Sequence, residues 1–157
     1  MTKEQIKKKL NLDIVSDFQE GRALVYKNGK YGHVDLDGKL TTPIIYDDVG
    51  SFKEGRAWVV KNRKEGHVDI DGNITTPIVY DGVGNFNEGR AWVEKNGKWG
   101  HVDLNGKVTT PIVYDNISNF YEGKVRVRIN DFGFHINING YPIEHKDFYN
   151  LIKAIFE

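Results

Sequence analysis

A period of 34 residues constrains this chain more than any other feature of its sequence. The segments that begin at Phe18, Phe52 and Phe86 align without a gap, and the last two are identical at 23 of 34 positions. Repeats of this length are small supersecondary units that bury their apolar surface by stacking on neighbours. A fourth copy begins at Phe120 and decays. Its His135 and Gly140 keep register with His101 and Gly106, but the Thr-Thr-Pro stretch of the earlier copies is reduced to Tyr141-Pro142. Upstream, Leu12-Asp13 holds the place of Tyr46-Asp47, Tyr80-Asp81 and Tyr114-Asp115. The array therefore spans residues 12–143, with units near 18–51, 52–85, 86–119 and 120–143, flanked by segments 1–11 and 144–157.

Within a copy the signals are those of strands and tight turns. Arg90 to Lys95 alternates, Asn96-Gly97 turns, and Lys98 to Leu104 alternates again. This is a two-residue type I′ hairpin, because Asn and Gly both accept the positive φ that the turn requires. A second turn at Asn105-Gly106 leads into Lys107-Val108-Thr109-Thr110. There Pro111, which has no N–H for a ladder, ends the strand or confines it to a sheet edge. Each unit reads as a three-stranded meander followed by a connector. The first copy uses Asn28-Gly29 and Asp37-Gly38. The second has Asn62-Arg63 at its first turn, which makes that hairpin the weakest. Aromatic pairs around each connector, such as Tyr46 and Phe52, are expected to pin one unit on the next.

The turn fixes the register, and the register sorts residues onto two faces. With Lys95 opposite Lys98, the pairs Glu94 with Trp99, Trp92 with His101 and Arg90 with Asp103 share one face. Val93, Gly100, Ala91 and Val102 share the other. Equivalent pairs are Tyr26/Tyr31, Leu24/His33 and Arg22/Asp35 in the first copy, and Val60/Glu65, Trp58/His67 and Arg56/Asp69 in the second. The small apolar face is expected to pack tightly. Arg22, His33, Arg56, Trp58, His67, Arg90, Trp92, Trp99 and His101 are expected to form a partly exposed face, and they are the candidate binding residues. The Arg/Asp pairs read as cross-strand ion pairs.

The Asn96 to Gly100 stretch (N-G-K-W-G), followed by V-D-L-N-G-K and preceded by F-x-E-G-R-A-W-V, resembles the bacterial WG-repeat family from about Leu12 to Gly140. The resemblance implies an all-β array and carries no shared enzymatic activity. The Trp-Gly pair occurs once here, replaced by Tyr31-Gly32 and Glu65-Gly66 in the other copies. Three full units and one degenerate unit are expected to form an open, twisted, solenoid-like stack, with propeller-like closure as the alternative. Short helices should cover both ends: Lys3 to Leu10 capped by Thr2, and His145 to Phe156 with Phe148, Leu151, Ile152 and Ile155 at helical spacing. A partner-docking role is the alternative for the C-terminal helix.

The residue inventory disfavours catalysis. No G-x-S-x-G, P-loop, G-x-G-x-x-G or H-E-x-x-H motif occurs, and equivalent groups repeated in several copies would make several sites rather than one pocket. No cofactor is implied. The recurring histidines would lie about 14 Å apart if each unit contributes three strands, too far to share a metal. Asp35-Leu36-Asp37-Gly38 lacks the later ligands of a calcium loop and suits a hairpin turn. With 22 Lys+Arg against 22 Asp+Glu, nothing steers the chain toward nucleic acid or an anionic membrane. Without cysteine it has no thiolate chemistry. No apolar run is long enough to span a bilayer, and the start lacks the apolar core of a signal peptide, so a cytoplasmic location is expected. Two functions remain: a scaffold that binds a protein partner through the Arg/Trp/His face or a strand edge, and a glycan or cell-wall binding module similar to choline-binding repeats.

Overall fold

The computed structural model describes residues 1–156. By internal contacts the chain divides into two compact units, Met1–Val79 and Tyr80 onward. The first holds α1 (Lys3–Leu10), β1 (Ile14–Gln19), β2 (Arg22–Lys27), β3 (Lys30–Val34), β4 (Leu40–Tyr46), β5 (Asp48–Val49), β6 (Arg56–Lys61), β7 (Lys64–Asp69) and nearly all of β8 (Ile74–Tyr80). The second holds β9 (Gly82–Val83), β10 (Ala91–Lys95), β11 (Lys98–Val102), β12 (Val108–Tyr114), β13 (Asn116–Ile117), β14 (Lys124–Ile129), β15 (Phe132–Asn137) and α2 (His145–Phe156). The strands form four antiparallel sheets: β1-β2-β3-β4, β5-β6-β7-β8, β9-β10-β11-β12 and the shorter β13-β14-β15.

The three-stranded expectation needs correcting, because the connector is itself a strand. Asp48 and Val49 pair with Val60 and Val59, and Asn116 and Ile117 pair with Arg128 and Val127. The Glu-Gly dipeptides that follow each connector make this possible. Glu20, Glu54, Glu88 and Glu122 all have φ near 51°, so each Glu-Gly forms a further tight turn and returns the connector alongside the hairpin. A glutamate is an unusual occupant of that region, and propensity alone does not point to it.

The hairpin registers are as the turns dictate: Lys95↔Lys98, Glu94↔Trp99, Trp92↔His101 and Ala91↔Val102 in the third copy, with the same pattern in the first two. Asn62 and Arg63 occupy the turn of the second with φ of 53° and 65°. The strained residue is Arg63, where the other copies place Gly29 and Gly97. Replacing Arg63 with glycine should raise stability by about 1 kcal/mol, measured as a higher urea midpoint at unchanged slope.

The Ala/Val/Gly face is the core. In the first sheet Ala23, Val25 and Val34 are fully buried together with Ile6 of α1 and Leu12. In the second, Ala57, Val59 and Val68 pack with Tyr46, Val49 and Phe52. In the fourth, Val125, Val127, Phe134 and Ile136 pack with Tyr114 and Phe120. Each valine removed from water there contributes roughly 1.5–2 kcal/mol. Gly32, Gly66 and Gly100 belong to this face because the next strand crosses over them. A Cβ at these positions would strike the Thr42, Thr76 or Thr110 carbonyl.

The fourth copy has Phe134 in the place of Gly100, and no strand crosses there. Helix α2 takes over the β15 edge. The buried Asp147 carboxylate accepts the His135 N–H (3.0 Å) and the Glu144 N–H (2.9 Å), and the Asn150 amide donates to the Gly133 carbonyl (3.1 Å). A strand edge presents backbone polar groups, so the helix turns its Asp147, Asn150, Leu151 and Ala154 side toward it. This corrects the expected stripe. Of Phe148, Leu151, Ile152 and Ile155 only Leu151 packs on the sheet, and the other three are exposed. Helix α1 carries the expected capping box, with Thr2 and Gln5 reciprocally bonded.

Candidate functional site

The nine candidate residues sit on one face of their hairpins, as the register requires; its histidines are buried, while its arginines and tryptophans stay partly exposed. Its largest departure from expectation is at the histidines. His33, His67 and His101 are each 1% exposed. Nδ1 of His33 lies 2.9 Å from the Thr42 hydroxyl and Nε2 lies 2.8 Å from the Gly50 carbonyl. His101 makes the same pair with Thr110 (3.0 Å) and the Ser118 carbonyl (3.1 Å), and His67 meets Thr76 at 2.9 Å. A carbonyl only accepts, so Nε2 of His33 and of His101 carries the proton and Nδ1 accepts from the threonine hydroxyl. The imidazoles of His33 and His101 also meet a connector ring at a steep angle, His33 edge-on to Phe52 and His101 tilted against Phe120, with centroids 4.7 and 4.6 Å apart. Burial is the main cause that pushes both residues down to about 4, with Arg22 and Arg90 adding to the effect, so both are neutral at pH 7. His33 and His101 fasten a hairpin to the connector that follows it, and both are buried.

The arginines are also engaged. Nε of Arg22 donates to the Ile70 carbonyl (2.8 Å) and Nη1 to that of Gly21, while Arg90 reaches Ile138 (2.9 Å) and Gly89 in the same way. Arg56 donates Nη1 to Gly55. The expected ion pairs with Asp35, Asp69 and Asp103 do not form. Each of those carboxylates instead accepts two N–H groups of its own turn, as Asp35 does from Asp37 and Lys39. Those bonds, with Lys39 first, hold the Asp35 carboxyl below its usual range. The arginine reaches a backbone carbonyl 48 residues away rather than a carboxylate that is already satisfied by its own turn.

Trp58, Trp92 and Trp99 are half-buried. The Trp58 indole lies on Gly50 and that of Trp92 on Gly84, so the connectors cover one side of each ring. Trp92 and Trp99 pack in a tilted arrangement with centroids 4.8 Å apart and 52° between their planes, and Tyr26 and Tyr31 do the same at 4.7 Å.

A chain with this repeat, this hairpin and this histidine latch can be placed. The family model described as WG containing repeat matches residues 2–31, 31–64, 66–99 and 99–131. The chain belongs to the WG repeat family. No curated protein matches it. In this WG repeat chain the residues that join one copy to the next were not all recognisable in advance. The Glu20 carboxylate accepts the N–H groups of Glu54 (2.8 Å) and Gly55 (2.7 Å), and Glu88 accepts that of Gly123 (2.9 Å). The 34-residue recurrence of Glu-Gly was the available signal. Asp47 and Asp115 pair with Lys30 and Lys98 and accept the Asn62 and Asn130 N–H groups. Among the described residues, no group of three or more His, Cys, Asp or Glu could hold a metal ion. No helix among them is long and apolar enough to cross a membrane.

Within each unit, exposed aliphatic side chains recur on the edge strands. Leu40 and Ile45 on β4, Ile74 and Val79 on β8, and Val108 and Val113 on β12 occupy equivalent positions and are 42–56% exposed. Leu36 and Ile70 are likewise exposed at the adjacent turns. Pro43, Pro77 and Pro111 lie in the same strands without an N–H to offer, which hinders continued strand addition.

Proposed function

We propose that this WG repeat protein is a non-catalytic scaffold that binds a protein partner along its edge strands. The recurrence of the same exposed aliphatic pair on β4, β8 and β12 supports this reading, since repeat proteins bind through surface positions that recur from copy to copy. The Arg/Trp/His face is a weaker candidate, because its histidines and arginines are spent on joining copies. The proline in each edge strand favours a folded partner that meets side chains over a peptide that adds a strand. The array is taken to be open and solenoid-like. Within each unit the Arg and Glu latches run from one copy to its successor, which is the neighbour-only bonding of a stack.

A glycan-binding role is the second reading, and the half-exposed Trp92–Trp99 ring pair is what favours it. The test compares the immobilised protein with an Ile45→Lys, Val79→Lys, Val113→Lys variant in lysate and cell-wall extract of its native host. A protein retained by the first and lost by the second, at equal melting temperature, supports the scaffold. Retention of polysaccharide alone, lost on Trp99→Ala, overturns it in favour of the glycan module. Solution scattering of an elongated particle fits the open array, and a compact ring-like profile would overturn that part.

A further inference from the structure

The fourth copy departs from the other three at one cluster of positions on the half-polar face. Where Leu24, Trp58 and Trp92 stand, it has Arg126. Where Tyr26, Val60 and Glu94 stand, it has Arg128. Where Tyr31, Glu65 and Trp99 stand, it has Gly133. Ser118 replaces the glycine on which the tryptophans of the second and third copies lie. The loss of the ring opens a cleft of about 360 Å³ lined by Asn116, Ile117, Ser118, Arg126, Val127 and Arg128. The Arg126 guanidinium lies over Gly133, in space that any larger residue there would occupy.

On β14 the alternation places Lys124, Arg126 and Arg128 on the exposed side, with Val125 and Val127 buried beneath. The contrast with Arg22 and Arg90 is sharp, since those two guanidinium groups are consumed by backbone carbonyls. Arg126 and Arg128 make no hydrogen bond or salt bridge to any described residue. Asp115 feels Arg128 through space, but its carboxylate is already held by Lys98 and the Asn130 N–H. Two residues apart on a strand, the two arginines start about 6.7 Å from one another, a spacing from which two planar forks can converge on one tetrahedral anion. Ser118 and Asn116 supply neutral donors on the facing strand and its extension.

We propose that this cleft binds a phosphate-type oxyanion, with Arg126 and Arg128 donating to its oxygens and Ser118 and Asn116 completing the contact. The anion is a free phosphate or the phosphate group of a phosphomonoester. The site does not depend on the edge-strand surface, so it stands or falls independently of the scaffold reading. The net charge of zero means that affinity must come from local geometry rather than from long-range attraction.

The test is an NMR titration of the arginine Nε–H and backbone amide signals with inorganic phosphate at constant ionic strength, and separately with O-phosphoserine. Saturable shifts of Arg126, Arg128 and Ser118 at millimolar phosphate or below are expected, and tighter binding of O-phosphoserine would identify a phosphomonoester as the better ligand. Arg126→Leu, Arg128→Tyr gives this site the residues that the first copy carries beside its own Ser16, and should weaken binding at least tenfold. Removing two charges elsewhere, by Lys8→Ala and Lys39→Ala, should leave affinity within twofold. If the double arginine variant fails to fold, Arg126→Lys keeps the charge without the fork and should weaken binding severalfold. Linear, non-saturating shifts, equal shifts with chloride, or an equal loss in the lysine variant would overturn the proposal.

Discussion

Replacing Gly100 with alanine should destabilise the protein by about 3 kcal/mol, among the largest losses available from adding one methyl group. The hairpin carries Gly100 on its buried face, and β12 crosses so closely that a Cβ would strike the Thr110 carbonyl and crowd that of Pro111. Backbone cannot swing aside as a side chain can. Relief therefore requires β12 to lift from β11, which also stretches the His101–Thr110 hydrogen bond. Gly32→Ala should behave alike through Thr42 and Pro43. Urea unfolding gives the test. A loss below 1 kcal/mol would mean that the strand crossing is adjustable and that the glycine of the Trp-Gly pair has another role.

Acid should unfold the protein through His33 and His101. Both hold their neutral form in the native state, titrating at about 4 against 6.5 in the unfolded chain. The unfolded state therefore binds protons first as pH falls. The stabilising contribution is fully present above pH 6.5 and is lost between 6.5 and about 4, roughly 3 kcal/mol for each histidine. That is a large share of the total for a chain of this size. Melting temperature measured from pH 7.5 to 4 should fall most steeply in that window. A His33→Gln, His101→Gln variant should start lower at pH 7.5, having lost the packed imidazoles, and show a flatter slope. An equal slope in the variant would assign acid sensitivity to other groups.

Both effects arise from one structural relation. The half-polar face of each hairpin reads as surface because Arg, Trp, His and Asp alternate there. The covering layer comes from elsewhere: the connector lies 17 residues on from the histidine, and the carbonyl that accepts from the arginine 48 residues on. Local alternation reports that a side chain is polar, and says nothing about which distant backbone group will satisfy it. A buried histidine between a threonine hydroxyl and a carbonyl, and an exposed one, have the same neighbours in sequence.

The sequence by itself determined the repeat and its phase, the Asn-Gly turns, the register that pairs Trp92 with His101, the small-residue core face, the strained Arg63 turn and the extents of both terminal helices. All of these rest on interactions within a few residues, where turn stereochemistry and capping act. The tertiary structure alone decided that the connector becomes a fourth strand, that histidine and arginine join copies, that Phe134 excludes a crossing strand, and that α2 turns Asp147, Asn150 and Leu151 to the sheet and Phe148, Ile152 and Ile155 outward. Those outcomes depend on which backbone groups are left unpaired once the sheets have formed, a quantity that exists only in the assembled fold.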